Sequence, residues 1–341
     1  MYRIERLAEL CRNKTVYIQT HNFPDPDAIA SAFGLQKLLR LYGIDSKLCY
    51  EGRIDKLSTA KMLQLFRIEI FPYDVLRDQM QETDYIICVD CQKNTGNTTD
   101  FIGQEVAVVD HHPVFVETAY LYKDIRLTGA CASMVAEYFA EAGLTPDSDT
   151  ATALLYGLKI DTMQFSRGVT SLDIAMFAFL HPLVDRTKIM SLERNTMEFS
   201  DLRAYGAAIR RIKVYDTVGF SYIPFSCPDA LIATISEFIL NLEEVEIAVV
   251  YARRDDGLKF SVRSELPEVH AGELIRAALK DLGNGGGHAG MAGGLIPIKN
   301  LSLLGDYLEL RIAQRFLEKL KDTDWEGSCQ MRELSSDDTV S

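Results

Sequence analysis

Apolar positions along this chain alternate between two rhythms: short runs of strand length, and longer stretches spaced for one face of a helix. Residues 16–20 and 46–50 read as strands. Residues 85–89 and 106–109 are continuous apolar runs, as a central parallel strand covered on both faces requires. Helical spacing predicts a long helix after Asp27 to about Tyr42, ended by Gly43, and further helices over 56–66, 129–142, 149–158 and 171–179. Strands alternating with helices predict an α/β domain over 1–183, a parallel sheet with helices on both faces. Residues 184–208 read as a polar helical connector. The style then changes: strand 218–225, helix 228–242, strands 245–252 and 258–263 about a turn at 253–257, and helix 271–282. A glycine-rich stretch at 283–294, another strand and a closing helix near 306–321 complete a smaller α+β domain over 209–321. The polar segment 322–341 is expected to be a disordered acidic tail.

A length of 341 residues suits two domains, and 47% hydrophobic with 25% charged residues excludes a fibrous or wholly disordered chain. No apolar stretch approaches 18 residues, so no membrane-spanning helix is expected. Residues 1–14 are mixed amphipathic and do not resemble a signal peptide. Seven scattered cysteines, an odd number, fit reduced thiols in a cytoplasmic protein. Cys88 and Cys91 form a C-x-x-C at a strand end; the period of two predicts that they point to opposite faces, and no second pair completes a zinc site. The net charge is −13. The tail holds six acidic residues and one arginine, so the remainder keeps −8. That balance argues against a broad basic surface for long nucleic acid and favours small nucleotides, with bound cations supplying local positive charge.

Candidate chemistry gathers where strands end. His21 follows the first strand, Asp90 ends another, and Asp110, His111 and His112 close the 106–109 run. Open parallel sheets bind ligands beyond the carboxyl ends of their strands. Asp25 and Asp27 share the loop with His21, and Asp161 follows the helix ending near Leu158. Asp25 before Pro26 also reads as a helix N-cap, and any single strand-end aspartate reads as a turn residue. The whole set goes beyond capping, because so many carboxylates at one edge repel unless cations neutralise them. Mixed carboxylate and imidazole donors suit Mn²⁺, with Mg²⁺, Co²⁺ or Fe²⁺ as alternatives.

These residues resemble a known family. His21-Asn22-Phe23-Pro24-Asp25-Pro26-Asp27-Ala28, Val89-Asp90, Asp110-His111-His112-Pro113 and Asp161-Thr162 look like the four motifs of DHH superfamily phosphoesterases. Ser261-Val262-Arg263-Ser264 and Gly285-Gly286-Gly287-His288 look like the marks of the DHH-associated C-terminal domain. Within the superfamily, a two-domain chain of this size is most similar to the NrnA-like oligoribonuclease and pAp phosphatase group. Pro26 departs from the glycine usual between the two aspartates, and Ile160 and Met163 flank Asp161-Thr162 where threonine and glycine are common.

The resemblance implies two divalent metal ions. His21, Asp25 and Asp90 would hold one, and Asp27, Asp90, His111 and Asp161 the other, with Asp90 bridging. It implies a catalytic His112 supported by Asp110, and substrate contacts from Arg263, Ser264, Gly286, Gly287 and His288. The expected substrates are short oligonucleotides, cut to nucleoside 5′-monophosphates, or 3′-phosphoadenosine 5′-phosphate. Cyclic dinucleotides are the main alternative; polyphosphate or pyrophosphate hydrolysis and a non-catalytic nucleotide sensor rank lower. No long-DNA or membrane partner is expected, and a cytoplasmic homodimer is. His181 and His270 fit no constellation and are expected to be structural.

Overall fold

The apolar runs of the first half become six strands in the computed structural model: β1 (Val16–Gln19), β2 (Ser46–Tyr50), β3 (Ile70–Pro72), β4 (Tyr85–Val89), β5 (Gln104–Asp110) and β6 (Tyr122–Ile125). The structure describes residues 2–54, 57–114, 116–194, 197–323, 325, 327 and 331–333. All five strand pairs are parallel, in the order β3-β2-β1-β4-β5-β6. The edge strands β3 and β6 lie outside the sequence reading: β3 has three residues, and β6 reads Tyr122-Lys123-Asp124-Ile125, with no apolar run. Among the described residues, the helices of this part are α1 (Arg3–Cys11), α2 (Pro26–Leu41), α3 (Leu57–Phe66), α4 (Tyr73–Leu76), α5 (Cys131–Glu141), α6 (Ser148–Asp161), α7 (Ser171–Leu180) and α8 (Arg186–Glu193).

The central strands are apolar on both faces because both are covered. Ile18, Ile87, Val89 and Val109 face a core built with Ile29 and Leu35 of α2, Met134 of α5 and Leu154 of α6. Tyr17, Cys49, Ile86, Cys88 and Val108 face the other way, under Leu76 of α4, Met80 and Phe101. That second layer is thin, and the Tyr73 and Phe101 rings stack across it at 3.9 Å. Cys88 and Cys91 share this second layer, contrary to the opposite-face expectation. Asp90 between them takes a left-handed φ of +59°, which turns the chain and cancels the period of two.

One close approach matters for the chemistry. Gly157 of α6 lies so near α2 that a Cβ there would stand 2.9 Å from Ala30 Cβ and 3.1 Å from Asp27 Oδ1. This contact sets the start of α2 beside the end of α6. The latter helix runs through Asp161, three residues further than the apolar pattern indicated.

Two compact units divide the chain, Met1–Thr196 and Met197–Ser341. The segment expected as a single connector, 184–208, is split between them: Leu192 of α8 packs in the first core, and Ala204 and Ala208 of the next helix pack in the second unit. That unit has strands β7 (Lys213–Tyr215), β8 (Val218–Ile223), β9 (Ile247–Arg253), β10 (Gly257–Ser264), β11 (Asn284–Gly287), β12 (Met291–Pro297) and β13 (Met331–Glu333). Its helices are α9 (Leu202–Arg210), α10 (Asp229–Leu240), α11 (Ala271–Ala278) and α12 (Leu308–Leu320). Sheet order is β11-β12-β10-β9-β8-β7-β13, with only β8 and β9 parallel. Val249 and Tyr251 of β9 face a core with α11 and α12, while Ala248, Val250 and Ala252 face α9 and α10.

Two features of this unit go beyond the sequence pattern. The glycine-rich stretch opens with a strand: 284–287 is an edge strand paired with β12. Glycine is needed beside it, since a Cβ at Gly272 would stand 2.4 Å from the Gly287 carbonyl oxygen. The acidic tail is not wholly disordered. Trp325 is buried in the second core with Nε1 donating to Thr217 Oγ1 at 3.3 Å, and β13 pairs with the otherwise open edge of β7. Residues 334–341 lie outside the described residues. No helix among the described residues is long and apolar enough to cross a membrane.

Leu154 is fully buried where α6 meets α2. Leu154→Ala should cost the first unit about 2–5 kcal/mol, as core truncations with partial relaxation do. Denaturant unfolding followed by circular dichroism measures it, and a loss below about 1 kcal/mol would contradict the packed α2–α6 face.

Candidate metal centre

Strand order reverses direction between β1 and β4, the point where an open parallel sheet leaves a crevice at its carboxyl edge. The chain loads that crevice. His21 and Asp25 leave β1, Asp90 leaves β4, and Asp110 is the last residue of β5 with His111 and His112 behind it. Asp27 comes in on the first turn of α2 and Asp161 on the last residue of α6.

Three groups of donor atoms, each within 4.8 Å, result: His21 with Asp25 and Asp90, Asp27 with His111 and Asp161, and Asp90 with His111 and His112. All six residues expected as ligands are thus brought together. Among the described residues, none of these groups contains a cysteine. Asp90 stands between the first two. Its Oδ2 lies 3.7 Å from His21 Nε2, and its Oδ1 lies 3.3 Å from His111 Nε2.

Each imidazole is aimed by its other nitrogen. Nδ1 of His21 faces the Asn22 carbonyl at 2.8 Å, and Nδ1 of His111 faces the Thr128 carbonyl at 3.0 Å. A carbonyl only accepts, so both rings carry a proton on Nδ1, and Nε2 is the atom turned toward the carboxylates. His112 Nδ1 is 2.8 Å from Asp110 Oδ1. Asp110 also accepts from the His111 backbone and, through Oδ2, from Gln92 Nε2 at 2.6 Å.

Carboxylates are held as firmly. Asp25 is both helix cap and candidate ligand: its Oδ1 accepts from the Asp27 and Ala28 amides at 3.0 and 3.1 Å. Asp27 sits at the N-terminus of α5, accepting from the Cys131 and Ala132 amides at 2.8 and 3.0 Å, where free amides and the helix dipole favour an anion.

Electrostatics of the metal-free centre follow from crowding. Burial, then the charges of Asp90 and Asp161, push the Asp27 carboxyl well above its usual range. Burial also leads the rise of Asp161, with Asp25 and Asp90 adding to it against the pull of His111. Burial alone would lower His21, but Asp25 and Asp90 outweigh it and raise it to about 9. For His111 the same contest against Asp90, Asp27 and Asp161 ends at about 11. Asp110 runs the opposite way: burial lifts it, yet the His112 bond, with Gln92 and His111, brings it below its ordinary value.

Cation-shaped need shows in one atom. Asp90 Oδ1 is buried with the His111 Nε2 contact at 3.3 Å but no well-formed hydrogen bond, a costly state for a carboxylate oxygen that a divalent ion relieves. The donor set of carboxylates and imidazoles therefore fits divalent metal chemistry.

Three positioning residues escape the sequence reading. Gln92 fixes Asp110 and also donates to the His112 carbonyl at 3.1 Å. Asp173, fully buried, accepts from the Gly129 amide at 2.8 Å, Ser133 Oγ at 2.6 Å and the Thr170 amide at 2.7 Å, tying down the loop whose Thr128 carbonyl aims His111. Arg167 donates to the Asp161 carbonyl at 2.9 Å. None lies in a motif; only buried polarity at 92 and 173 hinted at them.

Residues expected to contact substrate in the second unit are more engaged than foreseen. Arg263 on β10 donates to Glu237 Oε1 at 3.0 Å and Ser261 Oγ at 3.1 Å, and its Nε is buried without a partner. The Ser264 amide donates to the Gly290 carbonyl, and the His288 amide to the Met291 carbonyl. Gly286 and Gly287 lie in β11. His270 caps α11 through Nδ1, and His181 packs on Phe177 with ring centroids 5.2 Å apart.

Comparison with known proteins agrees with this site. A family model described as the DHH family, N-terminal domain, matches residues 15–158, and one described as the DHHA1 domain matches 216–314. Together they cover more than two thirds of the chain, which belongs to the DHH family. An uncharacterized protein of Methanocaldococcus jannaschii is 28% identical over 86% of the chain and 60% of its own length. The cyclic-di-AMP phosphodiesterase GdpP of Bacillus subtilis is 24% identical over 81% of the chain and 44% of its own length. The chain thus spans roughly half the length of these two relatives. A crystal structure of an exopolyphosphatase-related protein from Bacteroides fragilis shares the fold, with a TM-score of 0.74 at 18% identity over 94% of this chain and 96% of that one.

Metal loading must expel the imidazole protons. His21 titrates at about 9 and His111 at about 11, so both are charged at pH 7 in the metal-free centre. Affinity for Mn²⁺ should therefore rise with pH between 6.5 and 8.5, about tenfold per pH unit for each proton displaced. Calorimetric titrations in buffers of different protonation enthalpy read the proton release directly; a pH-independent affinity would contradict the assignment.

Proposed function

We infer that this chain is a two-metal phosphoesterase acting on short oligonucleotides, which it cuts to nucleoside 5′-monophosphates, or on 3′-phosphoadenosine 5′-phosphate. The observation that carries the reading is Asp90, whose two oxygens face two separate donor clusters. His21, Asp25 and Asp90 would hold one ion, and Asp27, Asp90, His111 and Asp161 the second. Mn²⁺ suits this mixture of carboxylates and imidazoles. Two such ions supply the charge and Lewis acidity that hydrolysis of a phosphate ester needs.

The remaining work belongs to the protein's own groups. His112 is half-exposed, and its hydrogen bond to Asp110 raises its pKa while holding Nδ1 inward. Nε2 is then the atom that carries a proton toward a departing oxygen. Asp110 and Gln92 keep that ring in one orientation. In the second unit, Arg263, Ser264, Gly286, Gly287 and His288 are the proposed contacts for substrate. Arg263 takes that role by exchanging its Glu237 partner for a phosphate, which its fork accepts equally well.

A second reading has its own support in the likeness to a cyclic-di-AMP phosphodiesterase. Cyclic and linear dinucleotides present the same reacting group, so one assay separates them.

Chelation should abolish hydrolysis of the dinucleotide pApA, and Mn²⁺ should restore it. Asp90→Ala should lower kcat/KM by at least about a thousandfold, since it loosens both ions at once. Rates on pApA, a five-residue RNA, 3′-phosphoadenosine 5′-phosphate, cyclic-di-AMP and a long single strand rank the substrates. Full activity in Asp90→Ala would sink the two-metal reading, and equal rates on the long strand would sink the small-substrate one.

A further inference from the structure

Phe23 lies in the loop between His21 and Asp25, in backbone that a bulky side chain rarely adopts, with φ at +57°. Burial does not compensate for this strain, since the residue is 57% exposed. The surroundings nevertheless hold it firmly. Its amide donates to the Glu51 carbonyl at 3.0 Å, and Pro24 follows directly. Its ring rests against Gly52, where a Cβ would come within 2.8–3.0 Å of three ring carbons. The aromatic ring is thus braced from one side by the loop after β2 and exposed on the other. A braced ring has already lost its rotamer freedom, which lowers the cost of stacking on it.

Two other loops close to the candidate ligands also carry an exposed apolar side chain. Leu127, 71% exposed, precedes the Thr128 carbonyl that aims His111. Met163, 49% exposed and at φ +47°, stands two residues past Asp161. Three loops beside the candidate ligands thus present an apolar side chain to solvent. A substrate made only of phosphates has no use for such surface, whereas a nucleotide carries a flat apolar base one sugar away from its phosphate.

We propose that Phe23 is the stacking surface of a nucleobase subsite beside the metal centre, with Leu127 and Met163 adding apolar surface at the neighbouring loops. The proposal rests on the nucleotide phosphoesterase reading for its chemistry, and it names the part of the substrate that the first unit selects. It makes the site specific for nucleotides over inorganic polyphosphates and tolerant of base identity, because every base offers a π-face.

The test compares 5′-AMP with ribose 5-phosphate, which share the phosphate and sugar and differ only in the base. With the Mn²⁺-loaded full chain, calorimetry should find AMP bound about 5- to 100-fold more tightly, the range that one base–aromatic stack supplies. Phe23→Ala, an exposed position, should bring the two affinities together by weakening AMP alone, and Phe23→Trp should restore the preference. In hydrolysis, Phe23→Ala should raise KM for pApA while leaving kcat within about twofold, and should not alter cleavage of a dinucleotide lacking its bases. Equal wild-type affinities, or a Phe23→Ala variant that weakens both ligands alike or neither, would overturn the subsite. A Phe23-dependent preference for AMP without hydrolysis would remove the phosphoesterase reading and leave the subsite standing. Cleavage of pApA with no such preference would do the reverse.

Discussion

Like charges concentrated at one sheet edge are the constraint on which this structure depends. Asp25, Asp27, Asp90 and Asp161 converge there, and Asp90 faces both donor clusters at once. Such a cluster is unfavourable unless positive charge meets it. The fold supplies part of the answer in fixed dipoles, through the amides that open α2 and α5. Protonation answers part of it as well, since the crowding raises the pKa values of His21, His111, Asp27 and Asp161. Divalent ions would supply the same positive charge, and in the proposed centre these residues would be the ligands.

Topology explains why these groups meet. The strands on either side of the reversal send their loops in opposite directions, and the crevice between β1 and β4 receives His21 from one and Asp90 from the other. The close packing of α2 on α6 then adds a carboxylate from each helix end. Beneath the ligands, carbonyls and carboxylates occupy every Nδ1, so ring orientation is set before any ion arrives. A rigid, pre-aimed site of this kind needs little reorganisation on loading.

Chemistry of this class is common to many substrates, and the metal centre alone does not distinguish them. Within the first unit, what surrounds it is an exposed aromatic held in strained backbone and left-handed residues at Met163, Gln164 and Phe165. Strain gathered in loops beside a reactive centre is a frequent mark of recognition surfaces.

Sequence alone determined the parallel-sheet architecture and the gathering of acidic and histidine residues at strand ends, because both are written in short contiguous segments. A buried parallel strand must be apolar throughout, and its carboxyl end must carry the ligand, so 85–89 followed by Asp90 and 106–109 followed by Asp110-His111-His112 were legible. Tertiary structure decided what depends on partners far apart in the chain. Gln92 meets Asp110, Asp173 meets Gly129, and Trp325 meets Thr217 across spans that no periodicity records. It decided that 283–294 begins as a strand, since only a neighbouring edge can pair with glycines that have no pattern of their own. It placed Cys88 and Cys91 in one layer because a single left-handed residue, Asp90, broke the alternation. Periodicity reports how a segment is buried; which side chain it meets there is fixed only when the whole chain has folded.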